Sequence, residues 1–394
     1  MKILQIIRGL DIGGDSGGAE VFGIKLAREL NKLPDCQVWI CAFFSVGTET
    51  ENAWLEQLNN EGIKTFFVSE WGGYNNLKKF VKGIRNLTAN ISKINIDVCH
   101  SHFHLGTLAA VFLKLFKYTK TAYRTAHIRK EWVKGRWTWI LSPVFMKHIF
   151  PKYLNGEIGV SKAVCDYLTQ RNPGRIDPRK IHLIYNGIDV NNFLEKSQQP
   201  LEAIEKNVLC QSNHNIGCVG RLTDQKGYPY IIEAMSELRK IIPDITLNIA
   251  GDGIMKPDLE NLVANYNLED KVRFLGLRND VPALMRHWDL FVLPSLWEGF
   301  PTVIMEAMLT NLPVIATNIP GTNELVLDQQ TGLLVPPKDP KALTESIVKM
   351  FSQDSLRKRL VENARKYVYQ FSMKNIAREY HDLYTQHLMN EIVK

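Results

Sequence analysis

The chain has 394 residues, 45% of them apolar and 23% charged, with a formal net charge of +7. That length exceeds what one hydrophobic core usually organises, so two domains are expected, and the composition excludes a disordered or low-complexity protein. No run approaches the roughly 18 apolar residues needed to span a bilayer, and MKILQIIRG is too short an apolar opening for a secretory signal, so a cytoplasmic location is expected.

Short β-rich runs alternate with amphipathic stretches from the start: KILQIIRG, the helical AEVFGIKLARELNKL, QVWICAFF, then IDVCHSH and EIGVS. That alternation predicts a parallel sheet flanked by helices. The polar stretch Glu195–Glu205 has the composition of a linker. After it the pattern restarts with IGCVGRL, the helical YIIEAMSELRKII, ITLNIAGDG, VRFLGL, LFVLPS and VIAT, and the tail beyond Pro340 is helical, ending in a helix from about Met373. The expected organisation is an α/β chain with domains at 1–195 and 206–372 and a terminal helix at 373–394. The six cysteines Cys36, Cys41, Cys99, Cys165, Cys210 and Cys218 show no CxxC or Cys/His metal spacing, so reduced thiols are expected, without disulfide or zinc.

In open α/β sheets ligands bind beyond the carboxyl ends of the strands, so the loops after strands are the places for chemistry. Gly220-Arg221 follows IGCV, and Lys226-Gly227 opens a helix. A diphosphate needs cations and free backbone amides, and glycine lets the backbone approach it; on these two residues alone an exposed Arg and Lys in a turn is the favoured explanation. In SLWEGFPTVIMEAML, Glu298 precedes a helix expected to begin near Pro301, and Glu306 lies one turn inside it. The unpaired amides of a helix start suit phosphate, and a carboxylate at that depth can accept two ribose hydroxyls.

The ordered set GGAE, DVCHSH, GVSKAV, IYNGIDVNNF, VGRLTDQKG, IAGDG, FLGL, PSLWEGFPTVIMEAM and TGLLVPPKDPKAL spans nearly the whole chain, and it resembles the retaining glycosyltransferase family 4. The resemblance implies the GT-B fold, two Rossmann-like domains facing each other across a cleft with the C-terminal helix packing back towards the first domain. It also implies transfer of a sugar from a nucleotide-diphosphate donor, UDP before GDP, to a glycan or lipid-linked acceptor in cell-surface polysaccharide or glycolipid synthesis. Other GT-B activities (epimerase, phosphorylase) and a non-catalytic nucleotide-sugar-binding protein are the alternatives. Arg221 and Lys226 match the diphosphate pair, Glu306 the ribose-holding Glu, and Glu298 the Glu facing the donor sugar. Gly299, Phe300, Pro301 and Thr302 match the loop and helix start at the sugar or phosphate, and Leu277 and Arg278 border the base, mainly through backbone. Gly17 and Gly18 resemble the first-domain loop over the diphosphate. His102 matches the histidine near the sugar, with His100, His104 and His127 as neighbours of the same type.

GLDIGGDSGGAE lacks the GxGxxG order of a dinucleotide site, and the chain has no Asp-x-Asp pair for a metal-bridged diphosphate, so metal-independent transfer without a cofactor is expected. From Lys114 to Lys152 ten cations, Arg124 among them, face the single acid Glu131, with Trp132, Trp137 and Trp139 interleaved. This suits a helix on an anionic membrane surface, while a solvated helical face with tryptophans in the core is the other explanation. No nucleic-acid-binding motif accompanies the segment.

Overall fold

The computed structural model describes residues 1–11, 17–71, 77–127, 144–172, 174–201 and 213–392. The chain divides into two compact units, Met1–Gly187 with Met373–Lys394, and Ile188–Ser372.

In the first unit β1 (Lys2–Ile7), β2 (Gln37–Ser45), β3 (Lys64–Glu70), β4 (Ile96–Ser101), β5 (Thr119–Ala126), β6 (Gly156–Gly159) and β7 (Ile181–Leu183) form one sheet in the order β3-β2-β1-β4-β5-β6-β7. Every pairing in it is parallel. Successive side chains along a strand point to opposite faces, and here both faces are covered. Ile3, Ile7, Val38 and Ile40 pack on one side with the helices Gly18–Asn31 and Met373–Ile392, while Leu4, Ile6, Trp39 and Cys41 pack on the other. The C-terminal helix therefore belongs to the first unit's core, through Met373, Ile376, Tyr380 and Tyr384.

The second unit repeats the scheme. β8 (His214–Val219), β9 (Ile245–Ala250), β10 (Val272–Gly276), β11 (Leu290–Leu293), β12 (Val314–Thr317) and β13 (Leu333–Val335) run in the order β10-β9-β8-β11-β12-β13, again parallel. Its core gathers Ile216, Ile232, Leu247, Ile249, Val292 and Ile347.

Two sequence expectations change. The break between units falls after Gly187, ahead of the helix Val190–Ser197, because that helix packs on the second unit's helices Val281–Met285 and Thr302–Leu309. The expected linker is described only as far as Leu201. The basic stretch 114–152 is not one helical surface, since Thr119–Ala126 is the buried strand β5. Arg124 lies inside the protein, where its Nε donates to Glu157 Oε2 at 2.7 Å and Arg171 Nη1 donates to the same oxygen at 2.8 Å. The Glu157 carboxylate is shared by two guanidinium groups there, and this pairing makes a charged strand residue tolerable in the core. Lys114 donates to Asn155 Oδ1 at 2.6 Å and Lys120 pairs with Asp97 at 2.7 Å. Trp132, Trp137, Trp139, Glu131 and the cations between 128 and 143 lie outside the described residues, as does Cys210. The five other cysteines are free thiols.

Candidate functional site

In each sheet the chain reverses its direction of growth beside the first strand, between β1 and β4 in one unit and between β8 and β11 in the other. The crevice outside the carboxyl ends at such a switch point is where open α/β sheets bind ligands. Most of the predicted residues lie on the loops or helices that follow these strands, while Leu277 and Arg278 follow β10.

In the second unit the loop after β8 carries Arg221 and Lys226, and the loop after β11 carries Glu298. Lys226 and Glu298 meet as an ion pair, Nζ to Oε1 at 2.6 Å, with side chains only 15% and 8% exposed. Ser295 Oγ donates to the same carboxylate oxygen at 2.8 Å, and Gln225 Nε2 donates to Oε2 at 3.3 Å and to the Trp297 carbonyl at 3.0 Å. Glu298 is thereby fixed with three donors around it. Ser295 and Gln225 were not singled out from the sequence; each lies within a recognised motif, but neither has a charge to betray it.

Backbone contacts hold the loops in register. Leu296 N donates to Gln225 O at 2.7 Å, and a Cβ at Gly227 (φ 62°) would lie 2.2 Å from the Pro294 carbonyl oxygen. The loop after β9 closes on the loop after β8 in the same way: Gly220 N donates to Ala250 O at 3.0 Å, and a Cβ at Gly251 (φ 148°) would lie 2.0 Å from Gly220 O. At both positions only glycine combines the positive φ with so close an approach. Arg221 is exposed, and its guanidinium has no hydrogen-bond or ion-pair partner among the described residues, so it is available to an anion.

The helix Thr302–Leu309 begins after Pro301 with no side chain capping its first turn. Ile304 N donates to the Pro301 carbonyl at 3.2 Å, which leaves the amides of Thr302 and Val303 as donors at the positive end of the helix dipole. Glu306 is half-buried on its second turn. Phe300 is buried with its ring edge-to-face on Phe371 at 5.4 Å, so its side chain serves the core and only its backbone can face a ligand. Gly299 is buried beside it and Thr302 is exposed. At the end of β10, Leu277 is 73% exposed, and Arg278 commits its guanidinium to Asp280 at 2.8 and 2.5 Å.

In the first unit Gly17 caps the helix Gly18–Asn31, and its amide donates to Glu20 Oε2 at 2.9 Å. A Cβ at Gly18 would meet nothing within 4 Å, so the fold itself does not demand glycine there. Residues 12–16 of that loop lie outside the described residues. His102 follows β4 and is buried, with Nε2 2.7 Å from Gln5 Oε1. Its ring stacks on His100 with centroids 4.7 Å apart. Burial, then the neighbouring His100 and His127, hold its pKa well below the ordinary histidine value, and burial takes His100 down to about 3. Both rings are therefore neutral at pH 7. His104 and His127 are half-buried.

Among the described residues one group brings three metal-type ligands within 4.8 Å, Asp35, Cys36 and His381. It lies before β2, away from the carboxyl ends of the sheet, and His381 Nε2 already pairs with Asp35 Oδ2 at 2.8 Å. Burial pushes the Cys36 thiol up to about 12.

Family models match both halves of the chain: "Glycosyltransferase Family 4" over residues 16–192 and "Glycosyl transferases group 1" over residues 202–367. An uncharacterised glycosyltransferase of Methanocaldococcus jannaschii is 30% identical over 313 residues, 75% of this chain and 79% of that protein. The UDP-Gal:alpha-D-GlcNAc-diphosphoundecaprenol alpha-1,3-galactosyltransferase of Escherichia coli is 28% identical over 360 residues, covering 86% and 88% of the two chains. Among solved structures, Anabaena HepE in complex with UDP-glucose superposes with a TM-score of 0.77 at 21% identity, covering 98% of this chain and 100% of that one.

Proposed function

The chain belongs to glycosyltransferase family 4, with the GT-B fold, and from that premise we propose that it moves a sugar from a UDP-sugar to a lipid-linked acceptor with retention of anomeric configuration. The observation that carries the reading is the enclosed Lys226–Glu298 pair at the β8/β11 switch point, beside the exposed Arg221. The uncapped start of the helix Thr302–Leu309 supports it.

In such a transfer the departing diphosphate gains negative charge. Arg221, Lys226 and the amides after Pro301 meet that charge as it develops, which is where preorganised donors contribute most to rate. Glu298, held by Ser295, faces the sugar as its ring takes on oxocarbenium character, and Glu306 holds the ribose. Leu277 and Arg278 border the base through their backbone. In this reading Gly17 and Gly18 act on the diphosphate and His102 on the sugar. Substitution on the front face, without a protein nucleophile, gives retention.

UDP is favoured because the Escherichia coli relative uses UDP-Gal and the Anabaena neighbour was solved with UDP-glucose. The proposed reaction needs no metal, because protein cations supply the charge that a bridging ion would supply. Incubating the protein with a panel of nucleotide sugars and a polyprenyl-diphosphate sugar in EDTA should release UDP at an undiminished rate. Loss of transfer in EDTA, restored by Mg²⁺ or Mn²⁺, contradicts metal independence, and release of GDP alone contradicts the UDP assignment.

A lipid-linked acceptor places the first unit beside a membrane. Residues 1–187 hold 26 Lys and Arg against 15 Asp and Glu, so the chain's positive excess lies on this side. Leu115 and Phe116 are 53% and 63% exposed beside Lys114 and Lys117. No helix among the described residues is long and apolar enough to cross a membrane, which leaves peripheral contact at the cytoplasmic face as the proposed mode. Co-sedimentation should show binding to anionic vesicles that weakens at high salt, as charges are screened beyond about 8–10 Å. Equal binding to neutral vesicles, or none to either, contradicts it.

A further inference from the structure

The C-terminal helix Met373–Ile392 is fixed on the first unit by Ala377, Tyr380 and Tyr384, which lie in that unit's core. His381 follows directly on Tyr380, so it stands at the edge of the packed face with its side chain 22% exposed. The turn before β2 meets it there. Leu33 and Cys36 pack against the same core, and the turn's backbone is held on both sides: Cys36 N donates to Leu33 O at 3.1 Å and Gln37 N to Met1 O at 2.9 Å. Folding thus brings Asp35 to a histidine 346 positions away.

At this junction one ligand atom each of Asp35, Cys36 and His381 lie within 4.8 Å of one another. His381 Nε2 is 2.8 Å from Asp35 Oδ2, and Cys36 Sγ is 3.8 Å from Asp35 Oδ1. Around a tetrahedral zinc ion, bond lengths of about 2.0–2.3 Å put neighbouring ligand atoms roughly 3.3–3.6 Å apart. Small side-chain rotations on the fixed turn and helix reach that spacing. A plain ion pair accounts for Asp35 and His381 only, whereas thiolate, imidazole and carboxylate together are a donor set that suits zinc. The second ring nitrogen supplies a separate observation, since His381 Nδ1 is 3.5 Å from Asp382 Oδ1. A histidine that ligates through one nitrogen keeps its proton on the other, and a carboxylate beside that nitrogen holds the ring in place.

We propose that Asp35, Cys36 and His381 hold a zinc ion, with water completing the tetrahedron, and that the ion clasps the C-terminal helix to the turn before β2. On binding, the S–H bond of Cys36 breaks, the thiolate joins the ion and the proton goes to solvent. His381 presents Nε2 to the ion and keeps its ring proton on Nδ1, beside Asp382. The site lies at the amino ends of β1 and β2, opposite the carboxyl ends of the same sheet. The ion's part is therefore structural, and sugar transfer does not depend on it.

The test uses the full-length protein purified without a histidine tag. One equivalent of Co²⁺, the spectroscopic substitute for zinc, should produce the visible bands of a tetrahedral site and a thiolate-to-cobalt charge-transfer band, and Zn²⁺ should erase both. Cys36→Ser should remove the charge-transfer band, and His381→Ala and Asp35→Asn should each abolish one-equivalent binding. Asp382→Asn keeps all three ligands and should weaken Zn²⁺ binding roughly tenfold in competition with a chelator. Zn²⁺ at about 100 times its Kd should raise the melting midpoint by roughly 5–10 °C, reversibly with EDTA. That rise should be absent in His381→Ala, whose metal-free midpoint is the control for the lost ion pair with Asp35. Absence of the charge-transfer band in the wild type, or its survival in Cys36→Ser, overturns the site. Unchanged Zn²⁺ affinity in either His381→Ala or Asp35→Asn overturns it as well, and unchanged affinity in Asp382→Asn overturns the role of that carboxylate.

Discussion

Lys226→Ala should lower kcat/KM for the donor about a hundredfold while leaving the fold in place. Two losses combine. A charge-assisted hydrogen bond to the diphosphate is worth roughly 1.5–3 kcal/mol, which is about ten- to hundredfold in rate. The substitution also strips Glu298 of the cation 2.6 Å away, leaving a carboxylate only 8% exposed with Ser295 and Gln225 as its remaining donors. An unbalanced negative charge beside the diphosphate position opposes the donor as well as the leaving group. Adding Glu298→Gln to Lys226→Ala should therefore cost less than the product of the two single effects. Donor titration and steady-state rates measure this, with circular dichroism to confirm folding. A full-rate Lys226→Ala enzyme contradicts the assignment.

Glu298→Gln and Glu306→Gln separate in kinetics. Glu306 is half-buried on the second turn of its helix and, as the ribose contact, binds ground state and transition state alike. Losing it should raise the donor KM by about tenfold with kcat little changed, since uniform binding sets KM. Glu298, proposed to face the ring that becomes cationic, is held by Ser295 and Lys226. Its neutral isostere loses a stabilisation present mainly in the transition state, so kcat should fall by roughly ten- to hundredfold. Both variants keep side-chain shape, and circular dichroism checks that they fold. If both substitutions moved only KM, or if the two effects were exchanged, the division of labour would be wrong.

The fold was legible because its signals are local. Short apolar runs between amphipathic stretches imply parallel sheets flanked by helices, and both sheets follow from that pattern. β3 and β5 were harder to see. β5 carries Lys120 and Arg124, and nothing near Arg124 in sequence announces that Glu157 will pair with it in the core. The same long-range effect misplaced the domain boundary, since the helix Val190–Ser197 follows its packing partners around residues 281–309 and not its chain neighbours.

The candidate site divides along the same line. SLWEGFPTVIMEAM is contiguous, so its loop, helix start and two glutamates could be placed from sequence. The meeting of Lys226 with Glu298, 72 positions away, exists only because β8 and β11 are neighbours in the sheet. Gln5 gave only the signal of a polar residue in an apolar strand, and its hydrogen-bond partner is a histidine 97 residues later. Asp35, Cys36 and His381 likewise come together only through the C-terminal helix, which is why local Cys/His spacing said nothing of them.

The most direct test of retaining transfer from a UDP-sugar is the anomeric configuration of the product. The purified protein, given an α-linked UDP-sugar and a polyprenyl-diphosphate sugar, should release UDP only when the acceptor is present, and proton NMR of the product should show an α linkage. A β-linked product contradicts retention, and UDP release that is indifferent to the acceptor contradicts transfer itself.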